Sequence, residues 1–191
     1  MSYRGLTVWD FLEEVASSRS VPAGGSIAAV SGAMAAALLA KMGRLALRRE
    51  GISLSHDLVV QAEALRRRLM ALAYADGQAY ETAANLNRSE EMTAEEIDAA
   101  WQEAVSVPLR IAECCDRALE LAETLRLAGL AAADVQAAVI LARACLEIQL
   151  LNAKANLTRV EDAAFHQASA EKLALLHRKL DKFAQRKELR P

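Results

Sequence analysis

Asp76 is the acid best placed to do chemistry. It sits in Tyr74-Ala75-Asp76-Gly77-Gln78-Ala79-Tyr80, where the neighbours at helical spacing are apolar or small, so its carboxylate turns toward packed surface. Burial disfavours the charged form and raises a carboxyl pKa, which suits a general acid or base working near neutral pH. The same placement also fits a partly exposed Asp bonded to a neighbouring helix. Gly77 costs a helix interior about 1 kcal/mol relative to Ala, which points to close approach by a ligand or a second helix. A second group is the stretch 18–26, Ser-Arg-Ser-Val-Pro-Ala-Gly-Gly-Ser. Pro22 stops the preceding turn, Gly24 and Gly25 permit backbone angles closed to other residues, and Ser26 is placed to cap the next helix. Such a turn offers unpaired N–H groups and the positive end of a helix dipole to a carboxylate or phosphate. Pro-x-Gly-Gly-Ser is equally an ordinary helix entry. A third group is Asp134, near the start of a long apolar segment, with Asn152 and Asn156 one turn apart near its end. Amides buried there need partners, either another helix's backbone or a ligand.

Other chemistries find no support. His56, His166 and His177 share no metal spacing with each other or with a Cys, so no metal site is expected. Walker A, G-x-G-x-x-G and Gly-x-Ser-x-Gly patterns are absent, and the adjacent Cys114 and Cys115 read as core filler. Lys41, Arg44, Arg48 and Arg49 close the second helix, where cations suit the dipole in any case.

The elements that must hold these residues are helical throughout. A short helix over 7–17 starts with Thr7 three residues before Asp10, and puts Val8, Leu12 and Val15 on one stripe. The second helix, 27–49, carries Ala or Gly at most of its inner positions and reads as central and buried. The third, 55–87, is long and amphipathic with an exposed Arg66, Arg67, Arg68 run. Thr93 and Glu96 form a capping box for the fourth, which Pro108 should kink and Gly129 should stop. The fifth, 132–157, is apolar over most of its circumference and belongs at the centre beside the second. The sixth, 161–187, turns Phe165, Leu173, Leu176 and Leu180 inward, and its last turn is expected to fray.

Composition agrees. Of 191 residues, 41 are Ala and 28 are Leu, against 8 Gly and 3 Pro. The fold class expected is therefore all-α, a single-domain bundle of about six helices over 1–191 with two central buried helices. A net charge of −2 gives no overall pull toward nucleic acid or anionic lipid. The longest apolar stretch, 27–40, falls short of the ~20 residues a membrane span needs. The N-terminus lacks a signal-peptide pattern. Three Cys, two of them adjacent, suit reduced thiols, so a cytoplasmic location is expected.

In chain order, several of these pieces resemble the cyclodeaminase domain of formiminotransferase-cyclodeaminase and its stand-alone relatives, the helical methenyltetrahydrofolate cyclohydrolases. The likeness covers about 6–165. It rests on the opening helix around Val8 to Ala16, on Pro22-Ala23-Gly24-Gly25-Ser26-Ile27-Ala28-Ala29, and on Met42 and Leu45. Further along it rests on Asp76 with Ala79-Tyr80, Val107-Pro108-Leu109, Asp134-Val135, and Asn152 and Asn156 followed by Asp162. Ala23 stands at the first glycine of the family loop, Leu86-Asn87-Arg88 replaces a Leu-Pro-Lys, and Ala99, Ala100 and Trp101 fall where an Arg is expected.

The resemblance implies a reduced folate bound among helices. Either 5,10-methenyltetrahydrofolate is hydrolysed to 10-formyltetrahydrofolate, or 5-formiminotetrahydrofolate is closed to the methenyl form with loss of ammonia. It implies Asp76 as proton carrier, with Asp134 as second choice, and substrate binding by Gly24, Gly25, Ser26, Asn152 and Asn156. The glutamate tail is to meet a helix N-terminus or basic residues, and Gly24→Val is expected to abolish folate binding. It implies no metal or redox cofactor, a homodimer built on apolar faces of the second and fifth helices, and no nucleic-acid or membrane partner. A non-catalytic helical paralogue that senses a ligand or binds a subunit is the alternative.

Overall fold

Local signals set most helix ends. A computed structural model of the chain describes residues 3–49, 54–130 and 133–185. After a short 3-10 turn at Tyr3–Gly5 come six helices: α1 Val8–Ala16, α2 Gly24–Ala46, α3 His56–Leu86, α4 Ala94–Leu127, α5 Ala133–Leu157 and α6 Ala163–Gln185. Both expected capping boxes form. Asp10 N–H donates to Thr7 Oγ1 at 3.1 Å and Glu96 N–H to Thr93 Oγ1 at 3.2 Å, each acid returning a bond to the cap's own N–H. Gly129 ends α4 at φ +82°. Its N–H donates to Arg126 O at 3.0 Å, and that of Leu130 reaches back to Leu125 O at 3.0 Å, which is the Schellman arrangement. Because a side chain in this left-handed region is strained by roughly 1–2 kcal/mol, Gly129→Ala is expected to lower the unfolding free energy by about that much in a urea melt.

Three elements differ from expectation. α2 begins at Gly24, three residues early, with Ala23 rather than Ser26 at the N-cap. Ser26 therefore lies inside the first turn. α4 runs unbroken through Pro108, which is buried. α1, despite its apolar stripe, has no buried residue: Val8 is 68% and Leu12 53% exposed. The expected frayed end at 186–187 falls outside the described residues.

α2 and α5 lie against each other in the middle, flanked by α3 and α4, while α6 covers α4 and α5. Small residues make this contact tight. At Gly32, the position of a Cβ stands 3.1 Å from both Cys115 Sγ and Cys145 Sγ, so α4 and α5 close directly on the α2 backbone. All three cysteines are free and buried. α2 is the one described helix long and apolar enough to cross a membrane; 61% of its apolar window is buried within the bundle, as in the core helix of a helical domain.

Candidate active site

The first turn of α2 is where three elements converge. Gly25 is buried because α3 comes down on one side and α5 on the other. A Cβ there would overlap Asp76 Oδ2, and would stand 2.8 Å from Asp76 Cγ and 2.7 Å from Asn152 Nδ2. Only a glycine lets the acid of α3 and the amide of α5 meet over this turn. Gln149, one turn before Asn152, is fully buried and donates from Nε2 to Gly25 O at 2.8 Å, pinning the turn to α5. Gly77 serves the other flank: its missing side chain leaves Val21 Cβ 3.3 Å from where a Cβ would be. The approach inferred from that glycine is thus made by the loop before α2.

Around this junction opens a cleft of about 330 Å³, lined by Val21, Gly24, Gly25, Asp76, Tyr80, Asn152 and Asn156 among others. That is within the ~300–1,000 Å³ of small-molecule sites. Two other hollows, an apolar one of about 230 Å³ beside α1 and one of about 430 Å³ between α5 and α6, have no carboxylate in their walls.

Asp76 is half-buried at the base of the cleft. Loss of water around it pushes its pKa from 3.8 up to about 6, and no cation or hydrogen-bond donor among the described residues offsets that loss. A carboxyl poised near 6 exchanges protons readily at neutral pH. Beside it, the Asn152 amide has no protein hydrogen bond among the described residues, and so keeps its donors and acceptor for a ligand. Asn156 divides its function: Nδ2 donates to Ala104 O at 2.7 Å, tying α5 to α4, while the residue also lines the cleft. The first intrahelical bond of α2 runs from Ile27 N–H to Ala23 O, and Ala23 brings no side-chain acceptor. The N–H groups of Gly24 and Gly25 consequently end at the cleft unclaimed.

Of the residues singled out by sequence, Asp76, Gly24, Gly25, Asn152 and Asn156 are brought together. Two are not. Asp134 lies 18 residues before Asn152 on α5, about 27 Å along the helix at ~1.5 Å per residue, and is held at the surface by Lys41 Nζ at 2.6 Å. Ser26 is fully buried behind the cleft; its Oγ faces Gly77 and the Tyr3 phenol but makes no well-formed hydrogen bond. The close helix contact belongs to Gly25, since a Cβ on Gly24 meets no protein atom within 4 Å. Gln149 and Tyr80 complete the site. Gln149 was not grouped with the two Asn in the sequence; its spacing of three and seven residues from them could have joined it to their stripe, but nothing in sequence marked its partner.

An acid of raised pKa, a free amide and a helix N-terminus facing a cleft make a site, in an all-helical protein, whose groups suit a polar small molecule. The chain belongs to the formiminotransferase-cyclodeaminase family, whose model matches residues 7–174. Over 180 residues, 87% of this chain and 86% of the other, it is 30% identical to methenyltetrahydrofolate cyclohydrolase of Methylorubrum extorquens. The crystal structure of formiminotetrahydrofolate cyclodeaminase from Thermotoga maritima superimposes with a TM-score of 0.86 at 25% identity, covering 97% of this chain and 94% of that one.

Proposed function

We propose that this chain is a folate-dependent one-carbon enzyme. It hydrolyses 5,10-methenyltetrahydrofolate to 10-formyltetrahydrofolate, or closes 5-formiminotetrahydrofolate to the methenyl form with release of ammonia, or does both. The observation that carries the reading is the Asp76 carboxyl, raised to about 6 and unpartnered, directly across the Gly25 turn from the free Asn152 amide. Family membership and relatives named for these two reactions support it.

In the hydrolytic direction, ionised Asp76 takes a proton from water as its oxygen bonds to the methenyl carbon, giving a tetrahedral carbon between N5 and N10. The carbon–N5 bond then breaks, N5 receives a proton from Asp76, and the carbon–oxygen bond becomes the formyl carbonyl as the hydroxyl proton leaves. In the cyclising direction, N10 bonds to the carbon of the protonated formimino group and gives up its proton, and the amino group so formed gains one and departs as ammonia, leaving the methenyl cation. Asn152 orients the pterin, and the Gly24 and Gly25 N–H groups donate to a substrate oxygen. Neither reaction changes oxidation level, so the reading needs no redox cofactor.

The reading includes a cytoplasmic homodimer. A nine-residue helix is too short to persist alone, yet α1 leaves Val8, Trp9 and Leu12 exposed, and Val8 and Leu12 share a hollow with Ile27 and Met34 of α2. A second copy covering that face would bury them. The small residues of α2, by contrast, are consumed within the chain's own bundle. Leu12→Glu with Met34→Glu is expected to shift the sedimentation of a dimer to that of a monomer; an unchanged species would rule out this face.

Activity is tested by following loss of methenyltetrahydrofolate absorbance alongside ammonia release from the formimino substrate. Turnover of either supports the proposal and sets the direction. Folate binding without turnover of either favours the ligand-sensing paralogue.

A further inference from the structure

Among the described residues the cleft walls hold a carboxylate but no lysine or arginine, and a folate ends in a glutamate that carries two negative charges. The α2 N-terminus lies against Asp76, at the reacting end, so it is already engaged when the tail needs a partner. The structure has a cation at the other end. Along α5, Asn152, Ala155 and Asn156 line the cleft, and Arg159 follows in the turn just past the helix end at Leu157. From Asn152 to that end is five residues, roughly 8 Å, a length comparable with a p-aminobenzoyl group.

Arg159 is held rather than loose. Its N–H donates to Asn156 O at 2.9 Å, and its guanidinium lies 5.6 Å from the centre of the Trp101 ring. Trp101 in turn stands edge-on to Tyr80, with ring centres 6.1 Å apart, and Tyr80 is one turn beyond Asp76 and lines the cleft. Arg159 has no ion-pair partner among the described residues. The nearby Asp98 is occupied by the Glu161 N–H and the Gln102 amide. Six other described guanidinium groups are paired with carboxylates, among them Arg44 with Glu63 and Arg117 with Glu120.

We infer that Arg159, propped on Trp101, receives a glutamate carboxylate of the substrate while Tyr80 packs beside the aminobenzoyl ring. This makes Arg159 a binding and specificity residue, and it rests on the folate reading above. A planar guanidinium matches a carboxylate through two parallel hydrogen bonds.

The test compares substrates with and without the tail: methenyltetrahydrofolate and methenyltetrahydropteroate, with tetrahydrofolate and tetrahydropteroate used for direct binding. Arg159→Met, which keeps an apolar stem over Trp101, is expected to raise KM and Kd for the glutamate-bearing compounds ~10–100-fold. It should leave kcat within about twofold and the pteroates unchanged, and Arg159→Lys should recover part of the loss. Equal weakening toward both compounds, no change toward either, or the same selective loss from Arg88→Met instead, would overturn the assignment while leaving the folate reading intact. A wild-type chain that binds neither compound would overturn both.

Discussion

Asp76→Asn is expected to lower turnover by about 10²–10⁴-fold, the range for removing a general acid–base group, and at the same time to make the folded chain more stable at pH 8. The two effects have one cause. Burial holds the Asp76 midpoint at about 6 instead of 3.8, so ionising it in the folded chain is unfavourable by about 3 kcal/mol, taking ~1.36 kcal/mol per pH unit. Between these two midpoints the folded state binds more protons than the unfolded one. Stability from this group is therefore complete below about pH 3.8 and is lost as pH rises through about 6. The neutral Asn escapes that loss. Urea melts should show the variant ahead of wild type at pH 8 by an amount of order 1–3 kcal/mol, and level with it near pH 4. A structural Asp engaged by a neighbouring helix would give the opposite sign, the Asn being less stable at pH 8. In the wild type, kcat/KM for a step that needs the ionised carboxylate should fall below about pH 6.

Gly25→Ala carries the second large effect. The added methyl would overlap Asp76 Oδ2 and crowd Asn152 Nδ2 at 2.7 Å, so α3 and α5 must move apart or both side chains must swing out of the cleft. Overpacking of this kind costs about 1–3 kcal/mol, and a displacement near 1 Å at a reacting centre can cost ~10²-fold in rate. We expect turnover to fall by at least that factor, read in the same absorbance assay, with a lower unfolding midpoint. Gly24→Ala puts its methyl where it meets no protein atom within 4 Å and should keep the wild-type unfolding midpoint. The contrast separates a steric requirement at one residue from a general need for a flexible loop.

The helices were legible because their signals are local. Thr7 with Asp10, Thr93 with Glu96, and Gly129 each act within a few residues, and each forms the bond its spacing implies. Asp76 was legible too, since apolar neighbours at helical spacing are enough to imply desolvation. What escaped depends on contacts distant in sequence. Whether Gly24 or Gly25 faces α3 turns on where α2 starts, and Ala23 gave no side-chain mark of a cap. Asp134 shares a helix with Asn152 but not an end of it, and its ion pair with Lys41 spans 93 positions of sequence. Gln149 reaches Gly25 across 124. α1 misled in a different way: its stripe correctly signals an apolar face, but no periodicity says whether the same chain covers it.

The most direct test of the central claim is a ¹³C NMR titration of the Asp76 side-chain carboxyl, assigned by its loss in Asp76→Asn, with and without a bound reduced folate. The account predicts a midpoint near pH 6 in the free protein and a clear change in both chemical shift and midpoint when the folate binds. A midpoint near 3.8 that ignores saturating folate would place the carboxyl in water, away from any substrate, and would contradict the account.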